Sequence, residues 1–438
     1  MYEQLVDHLT VNRVLPVRQS AYRKHHSTES ALTHLHSDLI THMDQSLHTL
    51  LLSLDLSSAF DSIDHNLLLD ELSNVGVRGG ALELIRSYLT GRHVQVAIGN
   101  AISDPLPLQY GVPQGSVLGP LLFSLYTRRL SQLLDDMGLS YHMYADDTQV
   151  YCTFRDEEFQ AIKDKITSAL HSIKSWLASM KLRLNFSKTK VILFSPKHRR
   201  LIMKEQFGSL NLVGDEIKLS SEVKILGVIF DDALNFNTQI SSVVRACNFA
   251  LHGIQVAREF LPRDILISTV THEVLTRLDY CNSLYIALPK YQLRRLQLVM
   301  NRAARLIFGL PRRAHITPSL RRLHWLPIGP RIDYKVILIA YKAQRFAQPE
   351  YIARLLPASE RSGRLQHAVS IGGHRFSERS FQYAAPRLFN KIPPGVTSSI
   401  FIETFKARLK TFIFTSAHDH CLDSLLHYSP CNDYIMSR

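Results

Sequence analysis

The chain has 438 residues, 45% of them hydrophobic and 20% charged, which excludes wholesale disorder and supplies material for a large core. Lys and Arg total 51 against 38 for Asp and Glu, a formal surplus of +13 that points to a polyanionic partner such as nucleic acid. No apolar run approaches the ~20 residues of a membrane helix. The start Met1-Tyr2-Glu3-Gln4 lacks the basic and apolar regions of a secretory signal. Five scattered cysteines (Cys152, Cys247, Cys281, Cys421, Cys431) do not suggest a disulfide framework. The expectation is an intracellular protein of cytoplasm or nucleus, neither secreted nor membrane-bound.

In chain order, residues 49–56 form an aliphatic run around the acidic Asp55 and read as a buried strand. Residues 65–72 and 81–88 have helical spacing. Residues 93–98 read as a strand entering a Gly99-Asn100 turn, with a further strand near 106–110. The apolar stretch 116–134 predicts one long helix, and residues 140–154 predict two strands flanking Ala145-Asp146-Asp147. Phe159, Ile162, Ile166, Leu170, Ile173 and Leu177 recur at helical spacing over 158–180. Strands follow at 191–194 and 223–230. Beyond them the pattern is mostly helical and punctuated by Pro289, Pro311, Pro318, Pro327 and Pro330, with a main boundary near residue 236 and a weaker one near Pro311.

Three acidic positions stand beside apolar strands: Asp55, after Leu50-Leu51-Leu52-Ser53-Leu54, and the pair Asp146 and Asp147. Carboxylates in such places are seldom buried unless paired or ligating a metal. A strand-end aspartate facing a hairpin-tip aspartate is an arrangement that holds two Mg²⁺ ions, whose shells substrate phosphates then complete. Alone, Asp146-Asp147 would read equally well as a solvent-exposed turn.

The order of further blocks narrows this. Tyr144-Ala145-Asp146-Asp147 resembles the catalytic turn of reverse transcriptases. Residues 54–61 (Leu-Asp-Leu-Ser-Ser-Ala-Phe-Asp) resemble that family's first palm motif, and residues 111–120 (Gly-Val-Pro-Gln-Gly-Ser-Val-Leu-Gly-Pro) its template- and nucleotide-positioning motif. Residues 184–190 (Leu-Asn-Phe-Ser-Lys-Thr-Lys) look like the lysine motif, and Ile225-Leu226-Gly227-Val228 like the primer grip. The wording is similar to the non-LTR, LINE-type retrotransposon branch, as are residues 19–23 (Gln-Ser-Ala-Tyr-Arg), 27–32, 324–327 and 385–390, so the resemblance covers nearly the whole chain.

The resemblance implies an α+β right-hand polymerase: an antiparallel palm sheet, partial fingers and a helical thumb. It divides the chain into residual fingers (1–48), palm with inserted fingers elements (49–235), thumb (236–310) and a basic carboxy-terminal region of unknown role (311–438). It implies RNA-directed DNA polymerase activity, with an RNA template, a DNA primer, deoxynucleoside triphosphates and two Mg²⁺ ions held by Asp55, Asp146 and Asp147. Lys188 would protonate departing pyrophosphate. Phe60 would be the steric gate against a ribose 2′-hydroxyl; Gln114, Gly115 and Arg23 would serve the nucleotide, and Leu226 and Gly227 the primer. Asp61 and Asp64 follow the motif without becoming ligands, and helix capping is the expected job of Asp61.

Two features stand outside those blocks. On a helix over 291–308, Arg294, Arg295, Arg302 and Arg305 fall opposite the apolar face, a stripe suited to tracking a duplex backbone or equally to solvent. His418, His420, Cys421, His427 and Cys431 fit no standard zinc spacing. The family's earlier Arg-Pro-Ile-type fingers segment, an endonuclease and a ribonuclease H pattern are not found, so an amino-terminally truncated piece of a retroelement polyprotein is expected. The rival readings are a catalytically silent, retroelement-derived RNA- or hybrid-binding protein, and a two-metal nuclease on the same aspartates.

Overall fold

The computed structural model describes residues 1–212, 215–356, 365 and 377–418. The chain forms two compact units, Met1–Ser27 with Leu47–Val223, and Thr28–Ser46 with Lys224–Arg438.

The first unit is built on a four-stranded sheet of β1 (His48–Leu54), β2 (Ser140–Tyr144), β3 (Asp147–Phe154) and β4 (Lys190–Phe194). Its order is β4-β1-β3-β2, and every neighbour is antiparallel. Strand alternation sorts the side chains by face. Leu50, Leu52 and Leu54 of β1, Val150, Cys152 and Phe154 of β3, and Val191 and Leu193 of β4 join one core. Three helices cover that face: α1 (His65–Asn74), α2 (Gly119–Tyr126) and α4 (Phe159–Ser179), whose Ile166, Leu170, Ile173 and Leu177 enter the same core at the spacing read from the sequence. Leu51, Tyr151 and Ile192, one residue out of phase, are also fully buried, so both faces of the sheet are apolar near its middle.

The residues 116–134 form two helices rather than one, α2 and α3 (Arg129–Asp136). Arg128 and Arg129 at the break both turn to Glu71 on α1, at 3.2 and 2.7 Å, which pairs the charge of a carboxylate that is only 6% exposed. The strand read over 93–98 is two short pieces, His93–Val94 and Ala97–Ile98, pairing with Leu106–Pro107 and Ala101–Ile102 around Gly99-Asn100.

The second unit contains Thr28–Asp44, α5 (Asn237–Ala257), α6 (Lys290–Phe308), α7 (Ile328–Phe346), Phe381–Phe389 and Ile402–His418. It also holds most of the hairpin β5 (Glu222–Ile225) and β6 (Val228–Asp231), which replaces the single strand expected over 223–230. Asn237 meets Gln292, Ser241 meets Arg295 at 2.7 Å, and Asn248 meets Arg302 at 2.9 Å, so α5 and α6 run side by side in parallel. Cys152, Cys247 and Cys281 are buried free thiols.

This division differs from the four-part reading. The cut falls at Val223–Lys224 rather than near 236, Pro311 marks no break between units, and Thr28–Ser46 leaves the segment read as fingers to join the carboxy-terminal helices. Helix Thr28–Asp44 buries residues on all sides, among them Leu32, His36, Leu39 and Ile40. Such a helix belongs inside a core, and its neighbours are Ser283, Tyr351 and Gln382 of the second unit. Among the described residues no helix is long and apolar enough to cross a membrane. His420, Cys421, His427 and Cys431 lie outside the described residues, as does the side chain of His418.

Candidate active site

The register of the sheet assembles the acidic cluster. Leu54 pairs with Thr148, so the next position of the first strand, Asp55, falls opposite Asp147. Tyr144 pairs with Asp147 across the β2–β3 hairpin, leaving Ala145-Asp146 as its two-residue loop. Asp55 and Asp147 are out of phase with Leu54 and Val150, so they belong to the sheet face away from α1, α2 and α4. The electrostatics agree: burial pushes the Asp147 carboxyl up to about 6, and the charges of Asp146 and then Asp55 push it the same way. Oδ2 of Asp55 is enclosed and accepts no hydrogen bond. Its cationic neighbour is Lys188, with Nζ at 3.9 Å on a side chain 70% exposed to solvent, a weak pairing.

The fit to divalent cations rests on that chemistry. Three carboxylates, one past the end of β1 and two at the β2–β3 hairpin tip, one with its pKa raised to about 6 and one with an enclosed, unsatisfied oxygen, form a donor set that a cation would relieve. Among the described residues no three His, Cys, Asp or Glu side chains form a ready cage. Mg²⁺ ordinarily takes one or two carboxylates and completes its shell with phosphate and water.

A bonded framework holds the hairpin tip. Ala145 is 7% exposed with φ 55°, a conformation that a residue with a Cβ adopts reluctantly. Its N–H donates to Oε1 of Gln19 at 3.2 Å, and the same oxygen accepts from Ala21 N–H at 3.0 Å. The backbone of residues 18–20 pairs alongside β2 through Met143 N–H to Arg18 O and Ser20 N–H to Met143 O, both 2.9 Å. Arg23, expected at the nucleotide, donates to the carbonyls of Pro16 (2.6 Å) and Gln19 (3.0 Å) and so braces this segment. Tyr22 stands beside the tip: burial raises its phenol pKa, and the charge of Asp146 adds to that.

The lysine motif is docked onto the same strand end. Asn185 N–H donates to the Asp55 carbonyl at 2.8 Å, and Leu56 pairs with Leu184. The Asn185 side chain accepts from Ser187 Oγ (2.8 Å) and Lys188 N–H (3.3 Å), and its carbonyl from Thr189, a compact turn that carries Lys188.

Phe60 is half-buried and stacks on Phe123 of α2, with centroids 4.5 Å apart and planes 24° from parallel. The loop behind it is pinned to the positioning motif: Val112 N–H donates to Phe60 O, and Gly111 N–H to Ile63 O at 2.8 Å. Gly111 has φ 85°, and a Cβ there would lie 2.9 Å from the Asp61 Cα, so glycine is required. Asp61 is not a helix cap. It accepts from Gln114 Nε2 at 2.9 Å, while Asp64, three residues on, caps α1 through the N–H groups of Asn66 and Leu67. Helix α1 starts too late for Asp61 to reach its first turn. Gln114 and Gly115 are exposed in the turn that leads to α2, four residues before its start.

The remaining predicted residues lie in the second unit. Leu226 and Gly227 form the β5–β6 turn. The arginine stripe is divided: Arg294 and Arg302 are exposed, whereas Arg295 and Arg305 are partly buried. Arg295 donates to Gln292 and Ser241, Arg302 to Asn248, and Arg305 to the carbonyl of Ala314. Helical phase placed these side chains opposite the apolar face, but the neighbour there is α5, and two of the four bridge to it. Sequence reasoning passed over Gln19 and Asn185, although both sit inside the blocks it quoted; their only signal was an amide within a motif otherwise read for its charge.

The model of the family described as "Reverse transcriptase (RNA-dependent DNA polymerase)" matches residues 1–230. A relative from Drosophila melanogaster described as "Probable RNA-directed DNA polymerase from transposon BS" is 27% identical over 324 residues, 70% of this chain and 34% of its own length. An RNA-directed DNA polymerase from mobile element jockey of the same organism is 25% identical over 358 residues, 79% of this chain and 36% of its own. The chain thus spans about a third of the length of these curated relatives. A structure of apo telomerase from Candida tropicalis is similar at a TM-score of 0.38 and 10% identity, covering 80% of this chain and 59% of that one.

Proposed function

This chain belongs to the reverse transcriptase (RNA-dependent DNA polymerase) family, and from that premise we propose that it extends a DNA primer on an RNA template. LINE-type members of that family are among the relatives it matches. In this reading the four-stranded sheet is the palm, the loops around Phe60 and Gln114 with residues 1–27 contribute partial fingers, and the helices from α5 to α6 form the thumb.

The observation that carries the reading is the register of β1 on β3, which sets Asp55 across from the Asp146-Asp147 loop with an oxygen that no donor satisfies. Enzymes of this family use divalent metal ions, and here Asp55, Asp146 and Asp147 would hold two Mg²⁺. Bound there, the ions would acidify the primer 3′-hydroxyl and neutralise charge developing on the deoxynucleoside triphosphate. The rest falls to the protein. Lys188, carried on the Asn185 turn, delivers a proton to departing pyrophosphate. Phe60, backed by Phe123 and pinned through Val112 and Gly111, keeps its ring against the sugar and excludes a 2′-hydroxyl. Gln114 and Gly115, tethered by the bond from Gln114 to Asp61, line the incoming nucleotide. Arg23 serves the nucleotide site through the segment it braces, and Leu226 with Gly227 receives the primer strand. The exposed Arg294 and Arg302 face the duplex backbone, while Arg295 and Arg305 hold the helix that presents them.

Primer extension on a homopolymer RNA template with Mg²⁺ tests this. The wild-type chain extends the primer, and Asp146→Asn lowers the rate by at least about a hundredfold, about 2.7 kcal/mol in the barrier. Equal binding of hybrid by both proteins with extension by neither would establish a silent binder instead.

A further inference from the structure

The turn Leu226-Gly227 holds two consecutive residues in the left-handed region, with φ 45° and 84°. A leucine there is disfavoured and persists only where the surroundings impose it. Tyr280 contributes to those surroundings at both residues. Tyr280 Oη donates to the Leu226 carbonyl at 2.7 Å, and a Cβ on Gly227 would stand 3.4 Å from Cε1 of the same ring. Tyr280 thus bonds one residue of the turn and lies flush against the backbone of the other.

Tyr280 is itself fixed from behind. The preceding Asp279 takes both Nε, at 2.7 Å, and a terminal nitrogen of Arg331 on α7 in a fork, and its Oδ1 also accepts from Asn282 Nδ2 at 3.2 Å. The following Cys281 is 2% exposed and also left-handed, with φ 51°. The Tyr280 backbone is therefore clamped on both sides while the residue is 42% exposed. A residue that only filled a core would be buried, and one that only covered surface would not be clamped. The arrangement is that of a rigid strut ending on the turn.

We propose that Tyr280, held by the Asp279–Arg331 pair, is a positioning residue that sets the Leu226-Gly227 turn and through it the primer terminus. This rests on the polymerase reading above. It also gives residues beyond 311 a task, because Arg331 anchors the strut from α7.

A misplaced primer end costs rate more than affinity, since the reacting hydroxyl leaves its attack geometry while the duplex keeps its other contacts. Tyr280→Phe keeps the ring and removes the bond to Leu226. It lowers kcat for primer extension about tenfold, with Kd for RNA–DNA hybrid and the urea midpoint unchanged within twofold and experimental error respectively. Gly227→Ala lowers kcat similarly, and the double variant is no worse than the poorer single one, because both act through one contact. Hydrogen exchange of residues 222–231 accelerates in Tyr280→Phe relative to wild type. Full kcat together with unchanged exchange in Tyr280→Phe overturns the proposal. If wild type itself extends no primer, the polymerase reading fails, and the exchange comparison alone decides whether Tyr280 sets the turn.

Discussion

Replacing Asp147 by asparagine removes a charge that the folded protein holds at a cost. Burial, then Asp146 and Asp55, raise this carboxyl from 3.8 to about 6. Below about pH 4 the group is protonated in folded and unfolded chains alike, and no penalty exists. Between about pH 4 and 6 the unfolded chain ionises while the folded one resists, and above about pH 6 both are ionised and the penalty is complete. Its size follows from the difference in pKa: about 3 kcal/mol at full value, and about 2–3 for a side chain that keeps some contact with solvent. Asp147→Asn therefore stabilises the protein far more at pH 8 than at pH 4. For a folding unit of roughly 200 residues, the gain is about 5–10 °C in Tm. Calorimetry and urea titration of both proteins at pH 4, 6 and 8 with a chelator present measure it directly. Millimolar Mg²⁺ then narrows the gap at pH 8 by stabilising the wild type, since the cation favours the ionised cluster. A gap of the same size at pH 4 and pH 8 would refute the electrostatic reasoning, because a packing difference does not titrate.

Three further changes probe the same site. Phe60→Val lowers the preference for deoxyribonucleotides over ribonucleotides about a hundredfold in kcat/KM, measured by single-nucleotide incorporation; unchanged discrimination would return Phe60 to a packing role on Phe123. Gln19→Ala strips the shared acceptor from the N–H groups of Ala145 and Ala21, costs about 1–3 kcal/mol in urea titration and lowers extension at least about tenfold; retention of full activity would show that the hairpin tip holds its own shape. Gly111→Ala forces a Cβ against the backbone of Asp61 at a positive φ and destabilises by about 3 kcal/mol, so a loss below about 0.5 kcal/mol would contradict the packing described.

What was legible in the sequence was local. The aliphatic run ending near Asp55, the strand-like stretches around Asp146 and the 3.6-residue spacing over Phe159–Leu177 depend on near neighbours, so β1, β2, β3 and α4 stand where the pattern put them. The motif aspartates, Lys188 and Phe60 were named because their chemistry is written into consecutive residues. Only the tertiary structure decided what faces what. Helical phase gave the arginines of α6 a common side but could not say that α5 packs there and takes Arg295 and Arg302 as partners. The cap expected at Asp61 falls to Asp64, because α1 begins only at His65. Helix Thr28–Asp44 left its sequence neighbours because its buried sides meet residues some 250–340 positions away. Periodicity reports the direction of a side chain relative to its own backbone; which partner waits in that direction is settled by contacts between distant segments, and one-dimensional spacing carries no record of them.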